Sequence, residues 1–278
     1  MDYIKVRSFD TNKIGILEGC EEELVRGEVV VVSSEEKGED VVRVLGRSKE
    51  KGLTDLRFKF VRRATDEDMK LFEKNERESK KAFRICKEKI RKHGLAMHLL
   101  KAYVPLSSRK VFFYYTAEER VDFRKLVRDL ARVFKKRIEM RQVGVRDAVQ
   151  MLGWVGLCGD VPCCIKFMEG FDSVSLKDIE DQNLPLSPSK FTGPCGRLVC
   201  CMAFERNNYT VKRFFPQKGS LLCLEGKEVK LLEVDPLRNV ALLEIEGKKK
   251  ELGIGELLPT SFKIPTCGNG GCCFAKFS

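Results

Sequence analysis

The chain has 278 residues, of which 33% are charged and 43% hydrophobic, and carries a formal net charge of +11. That length can bury two or three packed units. No apolar run approaches the roughly 18 residues of a membrane span, and Met1-Asp2-Tyr3-Ile4-Lys5 begins no signal peptide. The compartment expected is therefore a reducing cytoplasm, where abundant cysteines serve as metal ligands or redox groups more often than as structural disulfides. The positive charge points to an anionic partner without naming one.

Short apolar runs at Tyr3–Val6, Lys13–Leu17, Glu28–Val32 and Val41–Leu45, separated by turn residues, predict a small β barrel over residues 1–62. Cys20 sits in one of its turns as a lone thiol. Thr65 followed by Asp66, Glu67 and Asp68 is a helix start. Met69, Phe72, Phe83, Cys86 and Ile90 then recur at helical spacing until Gly94, so residues 63–95 are expected to form one long, heavily charged helix with Cys86 on its core stripe.

Met97–Val104 and Lys110–Tyr115 flank a Pro-Leu-Ser-Ser turn and read as a hairpin. Thr116-Ala117-Glu118-Glu119 offers a capping box, predicting a helix from there to about Lys136, followed by a strand at Arg137–Val143. Phe123, Leu126, Val127, Leu130 and Phe134 face one side of that helix. Arg120, Arg124, Arg128, Arg132, Lys135 and Lys136 occupy the adjoining arc. Between Arg120 and Arg146 there are ten basic and three acidic residues. Arginines at i, i+4 repel one another, a cost best understood if RNA or an acidic partner surface meets them; the plainer reading is a solvated face.

Beyond Asp147 the chain becomes rich in Gly and Pro, and regular structure is expected to be short, with one helix near Ser175–Gln182. Strands return at Ser220–Glu225, Glu228–Val234, Val240–Glu246 and Lys249–Gly253, with Cys223 packing on the first. They predict a second, SH3-like barrel.

Between these elements one pattern is written twice. Gly156-Leu157-Cys158-Gly159-Asp160-Val161-Pro162-Cys163-Cys164 and Gly193-Pro194-Cys195-Gly196-Arg197-Leu198-Val199-Cys200-Cys201 share GxCGxxxCC at an offset of 37 residues, each followed by a phenylalanine, Phe167 or Phe204. A looser third copy holds Cys267, Cys272 and Cys273, so nine of the twelve cysteines belong to the pattern. Thiolates bind iron–sulfur clusters and zinc, commonly four at a time, and the chain has only two histidines, His93 and His98, to compete. Zinc usually takes CxxC hooks, whereas a four-residue gap occurs among ferredoxins, so spacing favours an iron–sulfur centre with zinc as the alternative. Thiol redox chemistry is a third reading. Cys200 and Arg206 have the spacing of a phosphatase loop but lack its glycines, and no Walker loop, dinucleotide fingerprint or HExxH appears.

The run Phe112–Tyr114, Thr116-Ala117-Glu118, Arg120–Val127 and Arg137–Asp147, then CGxxxCC, Asp181-Gln182-Asn183-Leu184 and the second CGxxxCC, resembles the bacterial RicT (YaaT) family, which carries the domain shared with the C-terminal part of the yeast polymerase-suppressor protein. The match is detailed from Met97 to Glu205. It implies a non-enzymatic cytoplasmic protein that assembles with RicA- and RicF-like small helical proteins. It further implies [4Fe-4S] clusters on CGxxxCC cysteines, and modulation of an RNase Y-like endoribonuclease, mRNA maturation and sporulation. By position, Cys158, Cys163, Cys164, Cys195, Cys200 and Cys201 are the implied ligands, with the tail copy as an additional source. Trp154 and Leu157 depart from the family's usual small residue and proline.

The expected architecture is thus α+β: a small N-terminal β barrel (1–62), a long helix (63–95), a central ββαβ unit with cysteine-rich loops (96–212), a small SH3-like barrel (213–264) and a cysteine-rich tail (265–278). The expected role is an iron–sulfur adaptor. The alternatives are a zinc-stabilised RNA- or protein-binding module and a thiol oxidoreductase.

Overall fold

The structure is a computed structural model that describes residues 3–49, 54–107, 109–185, 187–224 and 227–257. The third cysteine copy, Cys267, Cys272 and Cys273, lies outside the described residues. The chain divides into two compact units, Met1–Phe171 with Thr192–Arg197, and Asp172–Phe191 with Leu198–Ser278. No helix among the described residues is long and apolar enough to cross a membrane.

The first unit begins with a closed barrel of β1 (Tyr3–Ser8), β2 (Ile14–Glu18), β3 (Val29–Ser34), β4 (Gly38–Ser48) and β5 (Arg57–Arg63), in the order β1-β2-β5-β3-β4. Alternating residues fill its interior: Ile4 and Val6, Val30 and Val32, Val42 and Val44, closed by Leu17 and Phe58. β5 is the strand that hydrophobic patterning misses. It carries Phe58 and Phe60 among Arg57, Lys59, Arg62 and Arg63, so its period-2 signal is thin, and it gains its place by pairing parallel to β2 and antiparallel to β3.

Helix α1 (Asp66–Lys92) starts where the sequence says it should. Thr65 accepts from the Asp68 amide, the Asp68 carboxylate accepts from the Thr65 amide, and Arg62 grips the same carboxylate through both terminal nitrogens. That grip, with the capping amide, holds the Asp68 acid far below the ordinary carboxylate range. After α1 come β6 (His98–Tyr103), β7 (Lys110–Thr116), α2 (Arg124–Phe134) and β8 (Arg137–Gln142), giving a sheet ordered β6-β7-β8 with β7 and β8 parallel. On one face Val104, Val111, Phe113 and Tyr115 pack with Ala82, Cys86 and Ile90 of α1 and Leu126 and Leu130 of α2. Cys86 is fully buried, and burial pushes its thiol up to about 12.

The other face, Tyr103, Phe112 and Tyr114, meets Phe9 beyond β1 and Phe72 of α1. Its two hydroxyls reach barrel carboxylates. Tyr103 donates to Asp40 Oδ1 at 2.6 Å, and Tyr114 donates to Asp10, which also receives Lys37. Buried polar groups must find partners, and these do so across the barrel–sheet contact, which fixes its register as apolar packing alone would not.

The helix start expected at Thr116 does not occur. Thr116 ends β7 opposite His98, the Ala117 carbonyl accepts from Gln142 Nε2 at 3.1 Å, and α2 begins at Arg124 with Phe123 as a residue that provides no side-chain cap. The end of β8 thus takes the carbonyl that a helix starting at Thr116 would have needed. Past β8, α3 (Val145–Leu152) and the single turn α4 (Cys163–Lys166) complete the first unit. α3, 8 residues long, was not singled out in the sequence and runs into the Gly- and Pro-rich stretch where only short regular structure was expected.

The second unit contains α5 (Leu176–Asp181), α6 (Pro188–Phe191), α7 (Cys201–Glu205), a 3₁₀ segment (Arg206–Phe214), β9 (Leu221–Leu224), β10 (Lys227–Asp235), β11 (Val240–Ile245), β12 (Lys248–Gly253) and α8 (Ile254–Leu257). α5 lies where the sequence placed it. Ser175 and Asp178 form a second capping box, and Arg206 again clamps its aspartate, at 2.6 and 3.0 Å. The four strands follow the predicted positions, but among the described residues they form an open antiparallel sheet, β12-β11-β10-β9, where a closed barrel was expected. Val229, Leu231, Ala241 and Leu243 are covered by Phe215 with Ile254 and Leu257 of α8, so helix and loop residues bury the face without β9 pairing to β12.

Candidate functional site

Both GxCGxxxCC copies fold into the same local structure. In the first, the Gly156 amide donates to the Asp160 carbonyl at 2.7 Å and the Gly159 amide to the Gly156 carbonyl at 3.0 Å. In the second, Gly193 donates to Arg197 at 2.8 Å and Gly196 to Gly193 at 2.9 Å. Gly159 and Gly196 both adopt left-handed backbone, φ +80° and +72°, which explains the glycine after each first cysteine. The equivalence continues through the paired cysteines. Ile165 donates to Pro162 as Met202 does to Val199, and Phe167 donates to Cys163 as Phe204 does to Cys200. A sequence repeat of 37 residues is therefore also a structural repeat: a tight turn carrying one cysteine, then a helical turn opened by two.

The first copy is pinned to the barrel. Lys5 of β1 pairs with Glu169 at 2.5 Å, Arg7 Nη2 donates to the Lys166 carbonyl at 3.3 Å, and Lys13 pairs with Asp147 at 3.0 Å. Gln150 of α3, buried, donates to the Cys164 carbonyl at 2.6 Å, and its own carbonyl accepts from Asn12 at 3.0 Å. A parallel arrangement holds the second copy, where buried Gln182 donates to the Met202 carbonyl at 2.7 Å. Gln150 carried no recognisable signal in the sequence, and Gln182 stood out only as part of the Asp181-Gln182-Asn183-Leu184 run.

Within the first unit, cysteines of both copies meet. Cys195 packs against the small apolar cluster of Val149, Cys164 and Ile165, together with Phe171, while Cys158 is exposed and Cys163 half-buried. The Lys166 ammonium pairs with Asp160 at 2.5 Å, which raises its pKa, and the sulfurs of Cys158 and Cys163 add a smaller pull in the same direction. Cys200 and Cys201 belong to the second unit, on the first turn of α7. Among the described residues no three Cys, His, Asp or Glu side chains converge into a group that could hold a metal ion. The donor chemistry nonetheless suits a thiophilic centre: four thiols from two geometrically equivalent loops lie in one unit. Trp154, Val155, Leu157 and Val161, in and beside the first loop, are 46–65% exposed.

The basic arc is only partly as the sequence drew it. Arg124, Arg128 and Arg132 are exposed on α2, Arg120 lies ahead of the helix, and Lys135 caps its C-terminus in left-handed backbone. Lys136 is tied to Glu78 of α1 at 2.5 Å.

The region of the PSP1 C-terminal conserved region family spans residues 58–143, the segment from β5 through α1 and the β6-β7-β8 sheet, and the third domain of PSP1-like proteins matches residues 173–213. The stage 0 sporulation protein YaaT of Bacillus subtilis is 40% identical over 225 residues, covering 81% of this chain and 78% of the relative. The chain belongs to the PSP1/YaaT family. An uncharacterized Schizosaccharomyces pombe protein, PB7E8.02, is 44% identical over 59 residues, which are 21% of this chain and 8% of that protein. No solved structure matches the chain. The family segment 58–143 coincides with the helix–sheet core that carries α2 but stops short of the first cysteine loop. The YaaT match over most of the chain extends the kinship beyond that core.

Proposed function

We propose that this member of the PSP1/YaaT family is a cytoplasmic, non-catalytic adaptor that holds an iron–sulfur centre on its CGxxxCC cysteines. It would assemble with RicA/RicF-like partners and modulate an RNase Y-like endoribonuclease. The observation that carries the reading is the duplicated loop: two segments 37 residues apart reproduce the same turn, the same left-handed glycine and the same paired cysteines. A turn repeated in this detail around thiols is better explained by a shared ligand chemistry than by packing, because Cys158 is exposed and contributes little to any core. The residues that would hold the centre are Cys158, Cys163, Cys164, Cys195, Cys200 and Cys201, with Cys267, Cys272 and Cys273 of the tail as further donors. When bound, a [4Fe-4S] cluster supplies redox sensitivity and oxygen lability. The protein's own part is to hold the loops: Lys5, Arg7 and Gln150 brace the first, and Gln182 braces the second. The exposed arginines of α2 supply the surface for RNA or a partner, and the relative's name suggests a developmental role such as sporulation.

Anaerobic purification followed by visible absorption and iron, sulfide and zinc analysis tests this. A brown protein with about four irons and matching sulfide supports it. One zinc per chain would replace it with the structural-metal module, and a folded metal-free protein whose thiols cycle with an oxidant would favour thiol redox chemistry.

A further inference from the structure

The exposed face of α2 carries more positive charge than its surroundings neutralise. Asp129 is the acidic residue on the helix, and it is already shared by His93 at 2.9 Å, Arg132 at 3.9 Å and Lys89 at 4.0 Å. Asp122 is occupied by Arg124, whose bonds hold the acid down at about 2. Among the described residues the side chains of Arg120, Lys125 and Arg128 have no acidic partner within 4 Å, and the side chains of Arg124 and Arg132 are 85% and 81% exposed. Arg124, Arg128 and Arg132 stand in one row, about 6 Å apart along the helix axis. At the N-terminal end of that row lies an open hollow of about 610 Å³, lined by Asp122, Phe123, Arg124, Lys125, Val127 and Arg128, in which three cations outnumber the one carboxylate. Phe123 is half-buried there, its ring set edge-on against Tyr115 at 6.0 Å.

We infer that this hollow and the arginine row are a binding site for a single-stranded nucleic acid, RNA in the simplest case, with one base against Phe123 and the following phosphates on Arg124, Arg128 and Arg132. An aromatic side chain beside a row of cations is the combination that binds single strands without sequence preference, the ring taking a base and the guanidiniums taking phosphates. An acidic protein surface fits less well. Protein interfaces are depleted in lysine and centred on apolar residues, whereas this face holds Lys125 and Lys135 and exposes Val133 as its one large apolar side chain above 40%. The inference deepens the proposed adaptor role by naming what its basic helix binds. It involves no metal, so loss of RNA binding and loss of iron are separate outcomes.

The test is fluorescence anisotropy of a labelled oligouridylate of about 12 nucleotides on the full chain, with poly-glutamate and an RNA duplex of the same length as competitors. The triple variant R124Q/R128Q/R132Q should bind at least tenfold more weakly, with the slope of log affinity against log salt reduced by about 2. Phe123→Leu should weaken binding about fivefold or more and leave that slope unchanged. Melting temperatures taken alongside confirm that the variants fold, and Lys125→Gln with Arg128→Gln, both on exposed side chains, carries the test if Phe123→Leu does not. The inference is overturned if the wild type does not bind, if the charge variants bind as the wild type does, if poly-glutamate competes as well as RNA, or if the duplex competes equally while Phe123→Leu is silent.

Discussion

Replacing Gly159 by alanine tests whether the cysteine turns are set by backbone conformation. A Cβ at Gly159 or at Gly196 would meet no atom within 4 Å, so sterics contribute nothing, and the whole effect comes from φ values of +80° and +72°. Left-handed backbone costs an L-residue about 1–2 kcal/mol. Removing glycine's freedom from the unfolded chain offsets about 0.4–1 kcal/mol of that. The net expectation is a loss of about 1 kcal/mol, or roughly 2–4 °C in a unit of this size. Asparagine tolerates the left-handed region, so Gly159→Asn should cost less than Gly159→Ala. Because the two turns are geometrically equivalent, Gly196→Ala should match Gly159→Ala. The assay is urea unfolding of the metal-free protein, followed by emission of Trp154, the single tryptophan, which lies five residues from Gly159. An alanine variant as stable as wild type, or an asparagine variant weaker than the alanine one, would refute the argument.

Three further outcomes follow from buried or exposed groups. Burial raises the Asp40 acid from 3.8 to about 6, so the folded state binds its proton more tightly than the unfolded chain does. Its contribution, at most about 3 kcal/mol, is full below pH 4 and is lost as pH rises through 6. Asp40→Asn keeps the acceptor for Tyr103 and should flatten thermal stability between pH 4 and 6 while raising it at pH 8; an unchanged pH profile would count against it. Gln150→Leu leaves the Cys164 carbonyl without its buried donor and should cost about 1–3 kcal/mol by chemical denaturation. Under iodoacetamide at pH 8, mass spectrometry should find Cys158 alkylated well before Cys86, whose burial both blocks access and suppresses the thiolate.

Much of the fold was legible because local chemistry and tertiary demand agree. Thr65 with Asp68 starts α1, Ser175 with Asp178 starts α5, and strong alternation fixes most barrel strands. Thr116 shows where such reasoning fails. Its capping box is chemically sound, but a side chain from β8 takes the neighbouring carbonyl, and the helix waits until Arg124. β5 escaped notice for the opposite reason: its local signal is weak and its pairing to β2 and β3 is long-range. The cysteine turns were visible as a pattern, but the bracing roles of Gln150 and Gln182 were not, since one buried amide donor leaves no periodicity.

By itself the sequence determined which residues repeat, where charge accumulates and where helices can begin, because each of these depends on neighbours a few positions away. Only the tertiary structure decided that Cys195 packs beside Cys164, that Lys136 is taken up by Glu78 while Arg128 stays open, and that tyrosine hydroxyls on one sheet meet buried carboxylates of the barrel. Those outcomes turn on which distant groups share a limited supply of buried partners, and that is settled only when the chain closes on itself.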